Sequence, residues 1–363
     1  DSEPVNGESL GTTSQALVTL SSMDWMNQMP GLATKKLNEV SFPGTHDSGT
    51  YGLIDAWNRP IDDQYAANVD NGFIKAGSYI GITKAWAKAQ EKTVAEQLTD
   101  GIRAIDLRPC KEKSGTYRIC HSLYGPLLSD ALDDIATFSA AHPREVLIVS
   151  FGDFYGVEAT DHAALYTLIN QKIGARVIDA ATITPETTVG QVWSRNAGSI
   201  VVLYNNTSNP STKFFGSSSW VGTWANSWDR DTMKQSLLSD LATARSNQFI
   251  TFSGQATPDE SGDLIKASFN PVGNYPSSLE MLADQSNPVV LGWVVNEWSQ
   301  RRLNIMSFDF YNKSCLVKIA QQRNGANVSL SGCEIGTDTA FGNYAHEAYP
   351  RGAGTPMICA ANE

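Results

Sequence analysis

The chain has 363 residues, 41% of them hydrophobic and 18% charged, enough for one large domain or two modest ones with a sizeable core. Its 27 Lys and Arg stand against 38 Asp and Glu, a net charge of -11, which argues against nucleic-acid binding through phosphates and against bulk attraction to anionic membranes. The longest strongly apolar run, Pro288–Val295, is too short to span a bilayer, so no transmembrane helix is expected.

Residues 1–22 are rich in Ser, Thr and Gly and read as a flexible segment, the start of a processed, secreted chain, with one domain over 23–363. Apolar, β-branched runs predict buried strands at Val40–Phe42, Ala104–Leu107, Val146–Phe151, Ser199–Leu203, Gln248–Phe252, Val289–Val295 and Leu303–Phe308. Helical patterns lie between many of them. Thr93-Val94-Ala95-Glu96 is a capping box. Ser129 is placed to cap a helix burying Leu132, Ile135 and Phe138, with Pro143 after its end. A further helix runs from about Asp161, burying Leu165, Leu168 and Ile169, to about Gly174. The aromatic-rich stretches Asp55–Lys92 and Thr207–Asp229 have weak periodicity and read as insertions on a loop face. Strand–helix alternation over nearly the whole chain is α/β, and seven or eight strands in this length fit a (β/α) barrel better than an open sheet.

There are five cysteines and no CxxC spacing, so a structural zinc site is not expected. Cys110 and Cys120 flank the turn signal Lys113-Ser114-Gly115, and a hairpin there would bring them together. Cys333 with Cys315 or Cys359 is a second candidate pair. Free buried thiols are the alternative for both.

In a parallel barrel the residues just beyond the strand ends face the active site. His46, in Ser41-Phe42-Pro43-Gly44-Thr45-His46-Asp47-Ser48-Gly49, and His121 occupy such places. Asp106 and Arg108 alternate at another strand end and share one face, and Asp309 ends the strand over Leu303–Phe308. Two histidines, an arginine and aspartates at one mouth point to acid–base chemistry on an anionic centre. His142 reads as a helix-end residue, and His162 and His346 as surface residues.

The segment Leu37–Tyr51 resembles the first signature of the bacterial phosphatidylinositol-specific phospholipase C family, the X-domain fold. Thr93–Pro109 resembles its second signature, a glutamine-leucine helix followed by a glycine-arginine strand ending Asp-x-Arg. His121 with Gly125-Pro126-Leu127, the run Pro143–Ile148, and Ser307-Phe308-Asp309-Phe310-Tyr311-Asn312 follow in the family's order. The resemblance implies a distorted, incompletely closed (β/α)8 barrel. It implies His46 as general base, His121 as general acid, Asp309 orienting His46, Arg108 stabilising phosphoryl charge, Asp106 supporting Arg108 or His121, and Asp47 near the substrate 2-hydroxyl.

The chain departs from the family where metal-independent members carry a lysine (here Gly152-Asp153) and an arginine (here Tyr204-Asn205). The family's Asp-x-Tyr inositol platform corresponds to Asn226-Ser227-Trp228, which makes Asn226 and Trp228 the expected substrate-binding pair. Asp47, Asp106 and Asp153 would then share one mouth, and an all-oxygen set of this kind predicts calcium. The expected protein is a secreted, monomeric phospholipase C acting on phosphatidylinositol at a membrane surface. The alternative is a catalytically silent barrel that binds inositol lipid.

Overall fold

The computed structural model describes residues 16–54, 82–195, 198–207, 211–258 and 276–336. Among these, ten strands follow in the order β1 (Phe42–Thr45), β2 (Ala104–Leu107), β3 (Pro109–Lys111), β4 (Tyr117–His121), β5 (Leu123–Leu127), β6 (Leu147–Phe151), β7 (Ile200–Tyr204), β8 (Trp220–Thr223), β9 (Phe249–Ser253) and β10 (Ile305–Phe308). The helices are α1 (Ile82–Ala87), α2 (Val94–Thr99), α3 (Leu128–Ala141), α4 (His162–Ile173), α5 (Val189–Arg195), α6 (Arg230–Thr243), α7 (Leu279–Gly292) and α8 (Leu316–Arg323), with short 3-10 turns between.

Seven strands build one parallel sheet in the order β7-β6-β2-β1-β10-β9-β8. The sheet curls but does not close. No ladder joins β7 to β8 among the described residues, and a single bridge between Leu203 and Phe215 fills the seam. This is the incompletely closed barrel expected from the sequence. Its strands are covered on both sides, which is why β7 (Ile-Val-Val-Leu-Tyr) is apolar at every position and buried throughout. The remaining strands, β3-β4-β5, form a small antiparallel sheet that leaves the barrel after β2.

The capping box forms as read: the Thr93 side chain accepts from the Glu96 backbone N–H, and Glu96 accepts from the Thr93 N–H. In α3, Ser129 lies inside the first turn and bonds Asp130; Leu127 precedes the helix without a side-chain cap. In α4, Leu168 is only half-buried, and His162 is buried at 3% exposure against the surface reading.

Two element readings need larger corrections. The run Val289–Val295 is helical, the end of α7 continued by a π-helical turn over Trp293–Glu297. Ser278 caps that helix by accepting from the Met281 N–H, and Leu279, Leu282, Ala283 and Val290 are buried along it. Complete burial erased the polar face that would have marked the helix. Conversely, Trp220–Thr223 inside the presumed insertion is the edge strand β8. Phe214 and Phe215 beside it, which look like loop aromatics, are buried at 3% and 6% exposure, Phe214 stacked on Tyr204.

At the end of the barrel remote from the strand carboxyl termini, Arg103 is fully buried and saturates its donors. Nε meets Glu145 Oε2 at 2.8 Å, Nη1 donates to Leu98 and Ile102 carbonyls, and Nη2 donates to Ser22 and Met23 carbonyls. Glu145 also accepts from the Met26 and Asn27 N–H groups. These bonds fasten the start of the domain to the sheet. His142, at the end of α3, adds a 2.8 Å contact to Asp24. Within the expected flexible segment, residues 1–15 lie outside the described residues, while Val18 donates to the Asn327 carbonyl. His346 and Cys359 also lie outside them.

Cys110 pairs with Cys120 across β3 and β4, and Cys315 with Cys333.

Candidate active site

The strand carboxyl ends converge on a cavity of about 770 Å³ lined by His46, Asp106, Arg108, His121, Asp153 and Asp309, among others. The first of these stands on a tightly fixed turn. Gly44 on β1 lies so close to β2 that a Cβ there would meet Ala104 Cβ at 3.0 Å, and a Cβ on Gly49 would overlap Ile119 at 2.5 Å. Between them Ser48 extends the β1–β2 ladder: its N–H donates to the Asp106 carbonyl, and its hydroxyl accepts from the Asp106 N–H. Gln97 locks Thr45 and Ser48 from α2. Asp47 takes a left-handed conformation, φ 48°, a strained state for a non-glycine residue that marks functional turns. The motif Gly-Thr-His-Asp-Ser-Gly is therefore a packing and turn requirement as well as a chemical one.

His46 leaves this turn with Nδ1 2.8 Å from Asp309 Oδ1, just past β10. Gln90 fixes the spacing of the two strands by donating to the carbonyls of both His46 and Phe308. On the other side of the ring, Arg108 Nη2 lies 2.7 Å from His46 Nε2. The Arg108 guanidinium is ringed by acids: Nε stands 2.7 Å from Asp47 Oδ1 and 3.4 Å from Asp106 Oδ2, and Nη1 stands 3.1 Å from Asp153 Oδ2. Asp106 also accepts from the Asp47 N–H at 3.0 Å, so it holds both the turn and the cation.

His121 ends β4. Its Nδ1 lies 2.7 Å from the Ala87 carbonyl at the end of α1 and 3.3 Å from Asp47 Oδ2. Both neighbours accept, so Nδ1 carries a proton and Nε2 is the nitrogen left for chemistry. The two imidazole centroids are 6.4 Å apart.

Asp47 is the common neighbour. It is buried at 1% exposure and touches Arg108, His121 and His46, yet neither oxygen makes a well-aligned hydrogen bond, so these contacts are ionic. Burial favours its neutral acid, but Arg108, His121 and His46 hold it below the usual carboxylate range. Burial works against charge on His46, but Asp47 and Asp309 outweigh it and raise the ring to about 9. Burial also pushes Asp309 up. We place the shared proton on the ring, because Asp47 as well as Asp309 favours the imidazolium. Burial opposes the Arg108 charge too, and Asp47, Asp106 and Asp153 overcome it, so the guanidinium stays charged throughout.

The expected calcium set does not fit this arrangement. Asp47, Asp106 and His46 offer ligand atoms within 4.8 Å of one another, but Asp153 is outside that group, 54% exposed on the far side of Arg108. The guanidinium itself lies against all three carboxylates. A calcium ion requires six to eight oxygens around one point, and a cation already stands there.

The substrate-binding pair also separates. Asn226 lines the cavity, whereas Trp228 is in the hydrophobic core at 7% exposure. Residues two apart share a face only on extended chain, and Asn226 breaks it with a left-handed φ of 46°. An exposed aromatic at the mouth is Trp224, 53% exposed, with Nε1 donating to Thr257 Oγ1 at 3.0 Å. The sequence reading also passed over Trp86, Tyr155 and Gln255, which line the same cavity.

The half-closed parallel barrel is the fold of the solved phosphatidylinositol-specific phospholipases C. The phosphatidylinositol-specific phospholipase C from Listeria monocytogenes superposes with a TM-score of 0.57 at 19% identity, over 84% of this chain and 99% of that one. A mutant of the enzyme from Staphylococcus aureus gives 0.58 at 16%, over 83% and 96%. No family model matches the chain. In sequence, the PI-PLC X domain-containing protein 3 of Danio rerio is 24% identical over 310 residues, 82% of this chain and 92% of the relative. The human PI-PLC X domain-containing protein 2 is 30% identical over 191 residues, 50% of this chain and 59% of the relative. The chain is a homologue of the PI-PLC X domain-containing proteins.

Proposed function

We propose that this protein is a secreted phospholipase C that cleaves phosphatidylinositol by general acid–base catalysis between His46 and His121. The observation that carries the reading is the placement of the two rings, 6.4 Å apart on the common neighbour Asp47, with Arg108 against His46. His46, with Nδ1 held by Asp309, takes the proton of the inositol 2-hydroxyl at Nε2, and that hydroxyl attacks phosphorus. His121 offers Nε2–H to the departing diacylglycerol oxygen. Arg108 supplies the fixed positive charge for the phosphoryl oxygens in place of a metal. The first product is the 1,2-cyclic inositol phosphate, which water opens with the histidines exchanging roles.

Asn226 and the exposed Trp224 supply a polar contact and a flat apolar face for the inositol ring at the mouth. No helix among the described residues is long and apolar enough to cross a membrane, so contact with a lipid surface falls to such rim groups. Two disulfides support an oxidising, extracellular setting. The test is release of water-soluble inositol phosphate from phosphatidylinositol vesicles, with the cyclic ester followed by phosphorus NMR. Vesicle binding with no release would instead identify a silent lipid-binding barrel.

A further inference from the structure

Arg108 and His121 belong to one small structure outside the parallel sheet. Arg108 immediately precedes β3 and His121 closes β4. Cys110 comes two residues after Arg108, and Cys120 is the residue before His121. Their disulfide joins the two arms of the hairpin, Cα atoms 5.8 Å apart, across a sequence separation of only 10. Both cysteines are fully buried and pack with Tyr124, Ile54 and Tyr155.

The backbone around the bridge runs directly to the site. The Cys120 N–H donates to the Arg108 carbonyl at 2.9 Å, and Tyr155 pairs with β3 through Lys111 N–H to its carbonyl and its own N–H to the Pro109 carbonyl. Tyr155 lines the mouth and interacts electrostatically with Arg108. The bridge thus lies behind three mouth residues at once. The backbone frame that carries them is short and irregular: β3 has three residues, and the β4–β5 ladder shifts between Arg118 and Cys120.

We propose that the Cys110–Cys120 bridge is a positioning device for the reaction, holding Arg108 and His121 in one frame. The inference rests on the roles given to those residues above. The second disulfide supplies the internal control. Cys315–Cys333 spans 18 residues, and neither of its cysteines lines the cavity. On loop length alone it contributes slightly more stability than the shorter bridge.

The experiment compares Cys110→Ala/Cys120→Ala with Cys315→Ala/Cys333→Ala in the full chain. Turnover on phosphatidylinositol vesicles, thermal midpoint and the histidine Cε1–H NMR signals are read for each. Loss of the 110–120 bridge is expected to lower kcat about tenfold to a hundredfold, the scale of misplaced catalytic groups. It should displace the His121 signal while leaving that of His142 in place. Loss of the 315–333 bridge should lower the midpoint at least as much and leave both kcat and the His121 signal unchanged. Should the first variant not fold, Cys110→Val/Cys120→Val fills the buried volume without the covalent tie; failure of both would assign the bridge to folding and overturn the proposal. Equal kcat losses in the two double variants, or an unmoved His121 signal, would overturn it too. An inactive wild-type protein would count against the proposed function alone, and the His121 signal would still decide this inference.

Discussion

The guanidinium of Arg108 meets His46 on Nε2, the nitrogen that Asp309 does not use, at 2.7 Å. An imidazolium has no lone pair there to accept a hydrogen bond. The contact therefore describes the neutral, base-competent ring, whereas Asp47 and Asp309 favour the charged one and raise it to about 9. The two statements meet at a pH. Below about 9 the free site holds a proton on His46, and above it Nε2 is open.

The pH profile follows with a definite sign. A raised pKa on a general base delays its activation, so kcat/KM should climb with pH toward about 9 rather than level off near the ordinary histidine value of about 6.5. Asp309→Asn removes one of the groups that raise His46, so its ascending limb should move to lower pH while maximal kcat falls. An unmoved limb in that variant would dissociate Asp309 from the base.

Removing either imidazole should cost about a hundredfold or more in kcat. The His121 side chain is 24% exposed at the cavity wall, so His121→Ala should keep a thermal midpoint close to wild type, whereas His46→Ala leaves Asp309 buried without its partner and should lower it. Near-normal turnover in either variant contradicts its assigned role.

Excess chelator should leave turnover unchanged, because Arg108 already stands among Asp47, Asp106 and Asp153. Arg108→Ala should lose at least about a hundredfold, in line with the loss of a charge-stabilising donor. Activity that vanishes with chelator and returns with calcium would overturn this and restore the metal.

Trp224→Ala should raise KM on vesicles with a smaller effect on kcat, while Phe214→Ser should act through the fold. Phe214 is buried against Tyr204 and Tyr166, and losing such a side chain from a core costs about 3–5 kcal/mol. Chemical denaturation together with vesicle kinetics separates the two. A stable, vesicle-specific Phe214 variant would instead assign that segment to the lipid-facing surface.

Arg103→Met should destabilise the fold by about 3–5 kcal/mol, because Glu145 would be left buried without its partner. The further change Glu145→Leu should recover part of the loss. Denaturant midpoints of the single and double variants decide it, and additive losses would deny the pairing.

Most strands were legible because parallel, doubly covered strands leave continuous apolar runs, as at β2, read at its observed bounds, and at β6 and β7 within one residue. The same signal misled at Val289–Val295, where a buried helix looks equally apolar. It fell silent at β8, whose four residues include a glycine. His46, Arg108 and Asp309 were legible at the mouth because each lies just past the end of β1, β2 or β10, three neighbours in the sheet. The side-chain directions of Asp153 and Trp228 were not. They depend on left-handed residues, Asp153 itself and Asn226, and alternation along a strand cannot anticipate such a turn. That Asp47, Asp106 and Asp153 share the mouth was legible, but that all three lie against the one guanidinium of Arg108 was not.

The seam between β7 and β8 has a consequence for how the chain can vary. A closed barrel ties strand number, tilt and shear together, so a residue gained in any wall displaces the pairing all the way round. Here the circuit is broken once, and among the described residues the break is spanned by the Phe214–Phe215 segment, with one bridge to Leu203 and one ring stacked on Tyr204, rather than by a ladder. The connection from Tyr204 to Trp220 is therefore the one stretch of the described wall where length can change without moving His46, Arg108 or Asp309 relative to one another. Homologous barrels should differ there first in chain length.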